Sequence, residues 1–196
     1  MPLIQLYFTP ALLLLVLTCP QVSQSMPVMV KGPVTDSWVF YAQILLHNIT
    51  DALTKDNLFS GINCSQQSVK LNMETVTPSV CTPKGTTCSG IAKTEFDQNL
   101  CLTHIEKDLH HYYTFLAAQP DPNGSLAPTL SSLREFIENS FTLPLPGQLA
   151  ETTEEVPPES QYNKRLNLCK VLKGFQLRSI TINRVLSYMK SGEHTK

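Results

Sequence analysis

LNLCKVLKGFQLRSITINRVLSYM, Leu166 to Met189, decides the fold. At roughly 100° per residue, Leu168, Leu172, Phe175, Ser179, Ile182, Leu186 and Met189 form a continuous stripe in steps of three and four, the seam of a helix entering a bundle core. Nearly opposite stand Leu166, Leu177, Ile180, Arg184 and Tyr188. Scattered apolar side chains are ordinary on folded surfaces. Several together, with a tyrosine and an arginine among them, have the composition of a protein interface, where arginine is a favoured anchor.

Three further stretches carry helical spacing. From an N-cap at Thr35 or Asp36, WVFYAQILLHNITDAL places Trp38, Ala42, Leu45, Ile49 and Ala52 or Leu53 on one face. TEFDQNLCLTHIEKDLHHYYTFLAA aligns Phe96, Leu100, Ile105, Leu109, Tyr112 and Leu116, and stops at Gln119-Pro120-Asp121-Pro122-Asn123-Gly124, where prolines and glycine forbid continuation. Pro128 to Phe141 uses Leu130, Leu133, Ile137 and Phe141, and the fourth helix runs from Gln161 to about Lys190. No stretch sustains strand alternation. A long link, Lys55 to Thr94, follows the first helix, and a proline-rich acidic one, TLPLPGQLAETTEEVPPES, precedes the fourth. Long overhand links let consecutive helices run parallel, so the expected fold is all-α, a long-chain four-helix bundle with up-up-down-down topology and long crossover loops.

The first 25 residues contain the uncharged run ALLLLVLTC and end on Ser23-Gln24-Ser25, the pattern of a cleaved signal peptide. This predicts a secreted product, residues 26–196, as one domain with its own core. No later run has the ~18 apolar residues of a membrane span, and a net charge of -1 gives no global reason to expect nucleic acid as a partner. The sequons at Asn48, Asn63 and Asn123 agree with passage through the secretory pathway.

Of six cysteines, Cys19 leaves with the leader, and Cys64, Cys81, Cys88, Cys101 and Cys169 stay. In an oxidising compartment an odd set implies two internal disulfides and one sulfur either free or bonded to another chain. Between Gln161 and Lys190 stand seven basic residues and no acidic one. The macrodipole accounts for Lys190 at the end, and the remainder reads as a solvated basic face or a dilute polyanion site, with an acidic protein partner fitting Arg184 better.

Enzymatic chemistry finds little footing. Cys101-Leu102-Thr103-His104 has part of the secreted phospholipase A2 helix motif, but Ile105 rather than aspartate follows the histidine and the glycine-rich calcium loop is missing. His104, Asp108 and His111 share a helix flank of weak zinc spacing, better read as solvated. There is no nucleophile elbow, P-loop or dinucleotide fingerprint. The expectation is a binding protein with no enzymatic activity, no cofactor and no metal.

At LNLCKVLKGFQLRSITINRVLSYM, and again at CLTHIEKDLHHYYTFLAA, the sequence resembles the interleukin-12 alpha subunits, long-chain cytokines of the interleukin-6/interleukin-12 family. The likeness is specific in the fourth helix, moderate in the second and loose elsewhere. It implies a secreted subunit that pairs with a receptor-like beta subunit; the heterodimer engages interleukin-12 receptor chains on T and natural killer cells and induces interferon-gamma. By position, Arg184 would enter an acidic pocket of the beta subunit, with Leu177, Ile180 and Tyr188 around it, and Tyr162 would meet a receptor immunoglobulin-type domain. The family pattern also implies the pairs Cys64–Cys169 and Cys81–Cys101. Because the first helix has no cysteine for Cys88, and the loop lacks the family's additional inter-subunit cysteine, Cys88 is the candidate for an interchain bond. The rival readings are a monomeric cytokine of the interleukin-6 type and a secreted helical lipid-binding protein or enzyme.

Overall fold

Each period-3.6 stripe folds as a helix. A computed structural model describes residues 33–82, 96–142, 145 and 160–191. In chain order these form α1 (Asp36–Ala52), a 3-10 turn at Cys64–Gln66, the single-turn α2 (Thr77–Val80), α3 (Gln98–Ala117), α4 (Ala127–Ser140) and α5 (Gln161–Ser191). The expected leader and Cys88 lie outside the described residues. No described helix is long and apolar enough to cross a membrane. The protein is an all-α helical bundle.

Side chains on the predicted stripes make the core. Trp38, Leu45 and Ile49 of α1, Ile105, Leu109 and Tyr112 of α3, Leu133 and Ile137 of α4, and the whole α5 seam from Leu168 to Met189 are buried. Each large apolar side chain so buried contributes about 1.5–3 kcal/mol. The pairings run antiparallel. Trp38 meets Phe141 at 5.2 Å between rings while Asn48, ten residues along α1, reaches the Pro128 carbonyl at the start of α4. Against α5, Asp36 pairs with Lys190, the Ala42 carbonyl accepts from Asn183 at 2.9 Å, and Thr50 bonds Gln176 at 3.1 Å. Likewise α3 lies against α5, with Phe96 edge-on to Tyr188 at 5.8 Å and Tyr112 stacked on Phe175 at 4.2 Å.

Helix boundaries differ slightly from the pattern. The second helix starts at Gln98 rather than Thr94, because the Asp97 carboxylate accepts the Leu100 N–H at 2.9 Å and caps the helix there. Phe96 therefore precedes the helix, yet still packs on Tyr188. Leu100, assigned by spacing to the core face, is 44% exposed. Phe141 leaves α4 in an extended conformation and stays buried between Trp38 and Phe136.

The first link is tied down. Cys64–Cys169 and Cys81–Cys101 are bonded, with Cα separations of 5.8 and 4.8 Å, the pairs implied by the family resemblance. The first closes a separation of 105 residues, a constraint worth ~4–5 kcal/mol by loop-closure entropy. It joins the link to the first third of α5.

Candidate functional site

Along α5, one flank meets α1 through Gln176, Asn183 and Lys190. The other is covered by residues 65–77 of the first link. Backbone approach is close there: the Lys70 N–H donates to the Lys170 carbonyl at 3.0 Å, and a Cβ on Gly174 would stand 1.9 Å from the Lys70 carbonyl oxygen. Only a residue without a side chain allows this approach. Lys173 then reaches over the link, donating to the carbonyls of Ser65 and Gln67.

Beneath the link lies a polar cluster that sequence reasoning missed. Asp108, placed by the pattern on a solvated flank, is 0% exposed and sits 3.0 Å from Nε of Arg178, itself 3% exposed. Asn72 and Thr75 donate to its Oδ1 and Thr77 to its Oδ2, and Arg178 Nη2 donates to the Asn72 carbonyl at 3.3 Å. The Asn72 N–H donates to the Tyr112 hydroxyl at 3.3 Å, and burial pushes that phenol above its ordinary pKa. The carboxylate is thus satisfied at both oxygens, whereas the guanidinium is held by the ion pair and its Nη2 bond, with Nη1 buried and without a hydrogen-bond partner among the described residues. The flank read as a weak zinc site is divided: His104 Nδ1 accepts the Val76 N–H at 3.2 Å, Asp108 points inward, and His111 is exposed with its ring edge-on to Tyr112. His104 has its pKa lowered by burial and then by Lys107, and remains the neutral acceptor this bond requires. No local signal could have found the cluster, because Arg178 and Asn72 are 106 positions apart.

The remaining face of α5 carries Leu177, Ile180, Arg184 and Tyr188, the last at its edge and packed against Phe96. Leu177 is 48% exposed, Arg184 is exposed, and Ile180 and Tyr188 are half-buried. Arg184 pairs with no carboxylate among the described residues. Arg178, six residues earlier, stands in contrast. Both arginines stand in one helix, but one is consumed by the fold and the other is offered to solvent amid apolar surface. Tyr162 stands 49% exposed in the first turn of α5, at the end of the bundle away from Arg184.

The three sequons fall in different settings. Asn48 is half-buried, its amide donating to the Pro128 carbonyl at 3.2 Å while its own carbonyl accepts from Thr129. Asn63 is exposed and its Oδ1 accepts from Ser65 at 2.7 Å. Asn123 is exposed on the turn between α3 and α4.

Fold and surface together define a helical-bundle protein whose distinctive surface feature is an exposed arginine among apolar side chains on the outer face of α5. Comparison with known proteins makes this specific: the chain is similar to interleukin-12 alpha subunits. It is 24% identical to the Interleukin-12 subunit alpha of Lama glama over 197 aligned residues, covering 86% of this chain and 89% of that one. To the same subunit of Marmota monax it is 29% identical over 111 residues, and to that of Sigmodon hispidus 31% over 112. These two matches span about half the length of those relatives, 48% and 51%. No family model matches the chain. These relatives are named as subunits of an interleukin.

Proposed function

We propose that this chain is the alpha-type subunit of a heterodimeric, interleukin-12-like cytokine, made with a leader over residues 1–25 and secreted as residues 26–196. Its partner is a receptor-like beta subunit, and the pair signals through cytokine receptors on T and natural killer cells to induce interferon-gamma. The observation that carries the reading is the outer face of α5. An exposed arginine, unpaired with any carboxylate among the described residues, is surrounded by Leu177, Ile180 and Tyr188. On association these side chains exclude water while partner carboxylates receive the guanidinium, whose planar fork suits bidentate pairing.

The up-up-down-down order belongs to the same reading. It is supported by the antiparallel pairing of α1 with both α4 and α5, and of α3 with α5, which makes α1 and α3 parallel. Tyr162, at the far end of α5 from Arg184, is placed to meet a receptor without competing for the beta subunit. Cys88 supplies an interchain disulfide, and Asn63 and Asn123 carry glycans. Asn48 is disfavoured because its amide already serves the seam between α1 and α4.

Coexpression tests the reading. The chain should be recovered from medium mainly when a beta-type subunit is supplied, as a one-to-one complex. Efficient secretion as an active monomer would support the single-chain cytokine instead. Tyr162→Ala should lose receptor signalling with pairing intact, and unchanged signalling would remove that role.

A further inference from the structure

At the end of the bundle remote from Arg184 lies a cleft of about 280 Å³ between the α3–α4 turn and the start of α5. Its walls include Gln119, Pro120 and Pro122 on the turn, Gln161 and Arg165 on α5, and Asn123 itself. The turn is rigidly set. The Gly124 N–H closes it on the Asp121 carbonyl at 3.1 Å with Gly124 at φ 66°, and the Asp121 carboxylate accepts the N–H groups of Ser125 and Leu126, both at 2.7 Å. Asp121, the one carboxylate among the described lining residues, is thereby occupied by the backbone. Asn57, a further wall residue, donates to the Ser125 hydroxyl at 2.6 Å and fixes the turn to the first link.

We propose that the first N-acetylglucosamine of a glycan on Asn123 seats in this cleft, bound in cis and bridging the α3–α4 turn to α5. The inference rests on the reading of Asn123 as a glycan carrier. Its chemistry comes from the walls. A pyranose has C–H faces and polar edges: Pro120 and Pro122 present apolar surface, while Gln119 and Gln161 each offer amide donors and an acceptor to hydroxyl and acetamido groups. Arg165 adds a second kind of cue, since its buried Nε finds no acceptor among the described residues. A buried donor of that kind calls for a ligand or water acceptor. The volume sits at the small end of ligand sites, which fits one sugar and not an extended oligosaccharide. Attachment at the wall supplies a high effective concentration, so weak contacts suffice. Of the three sequon asparagines, only Asn123 lines this cleft.

The test uses the full chain secreted from animal cells with its beta-type partner and oligomannose glycans. Mass spectrometry of the Asn123 peptide comes first, and an unoccupied Asn123 overturns the proposal together with that part of the functional reading. With the site occupied, hydrogen exchange is compared between the intact glycan, glycan trimmed by endoglycosidase to one N-acetylglucosamine, and Asn123→Gln. Trimmed and intact forms should exchange alike, and Asn123→Gln should exchange roughly tenfold faster over residues 119–126 and 161–165 alone. Arg165→Ala should give the same local increase in glycosylated protein and add nothing to Asn123→Gln. Equal exchange in all forms, or additive effects of the two substitutions, overturns the seat while leaving the glycan. Loss of partner or receptor binding by Arg165→Ala, irrespective of Asn123→Gln, assigns the cleft to a protein and also overturns it.

Discussion

Replacing Gly174 with alanine should destabilise the protein, although alanine is the better helix former by about 1 kcal/mol. The added Cβ would stand 1.9 Å from the Lys70 oxygen and 2.8 Å from its carbon, so one backbone must move by roughly 1.5 Å to reach ordinary contact. Neither is free to do so. α5 is held along its seam by the core, and the link is fixed by the Lys70 bond to Lys170, the Lys173 clamp and Cys64–Cys169. Overpacking costs about 1–3 kcal/mol, and giving up the backbone bond and part of the clamp costs about 2 more. After the helix gain, the net loss is about 2–4 kcal/mol. For a domain of this size that lowers the midpoint of thermal unfolding by about 5–12 °C. The assay is thermal unfolding of refolded residues 26–196 by circular dichroism at a helical wavelength, with hydrogen exchange over residues 67–73 as the local readout. A midpoint raised by a few degrees, as helix propensity alone dictates, would refute the close-approach argument.

Other consequences are open to direct measurement. Asp108→Ala leaves Arg178 buried without its partner and should cost ~3–5 kcal/mol in denaturant unfolding; adding Arg178→Met should recover only part of it, because Asn72, Thr75 and Thr77 still lack their acceptor, and fully additive losses from the two substitutions would contradict the pairing. Burial, and for His104 also Lys107, holds the pKa values of His104 and His110 below the ordinary ~6.5. The unfolded chain therefore binds these protons more readily, so this part of the stability is complete above about pH 6.5 and is lost as the pH falls through the lowered values. His104→Gln with His110→Gln should flatten the fall in unfolding midpoint between about pH 7 and pH 5, and an unchanged fall would exclude the two histidines. In non-reducing electrophoresis of the coexpressed pair, Cys88→Ser should abolish the covalent heterodimer; a persisting covalent band assigns the bond elsewhere.

Local periodicity made the helices and the α5 seam legible, because a side chain every three or four residues must face the core whatever it meets there. The same spacing isolated the outward cluster around Arg184. What periodicity could not reveal depends on distant segments meeting. Asp108 and Arg178 look solvated in their own helices, and only the docking of Asn72, Thr75 and Thr77 over them makes burial affordable. Gly174 reads as a weak spot in a helix until the Lys70 carbonyl is placed against it. Leu100 went astray for a local reason: it stands five residues before Ile105, about 140° off the stripe, and Cys101 and Leu102 take the buried positions instead.

The outer face of α5 is the centre of the account, and Arg184→Ala probes it most directly. Binding of the variant to an immobilised beta-type subunit, beside helical spectra of both proteins, separates folding from association. A lost buried charge pair is worth ~2–5 kcal/mol, so affinity should fall by roughly 30-fold or more with the spectrum unchanged. Undiminished affinity would show that this face is not where the partner sits.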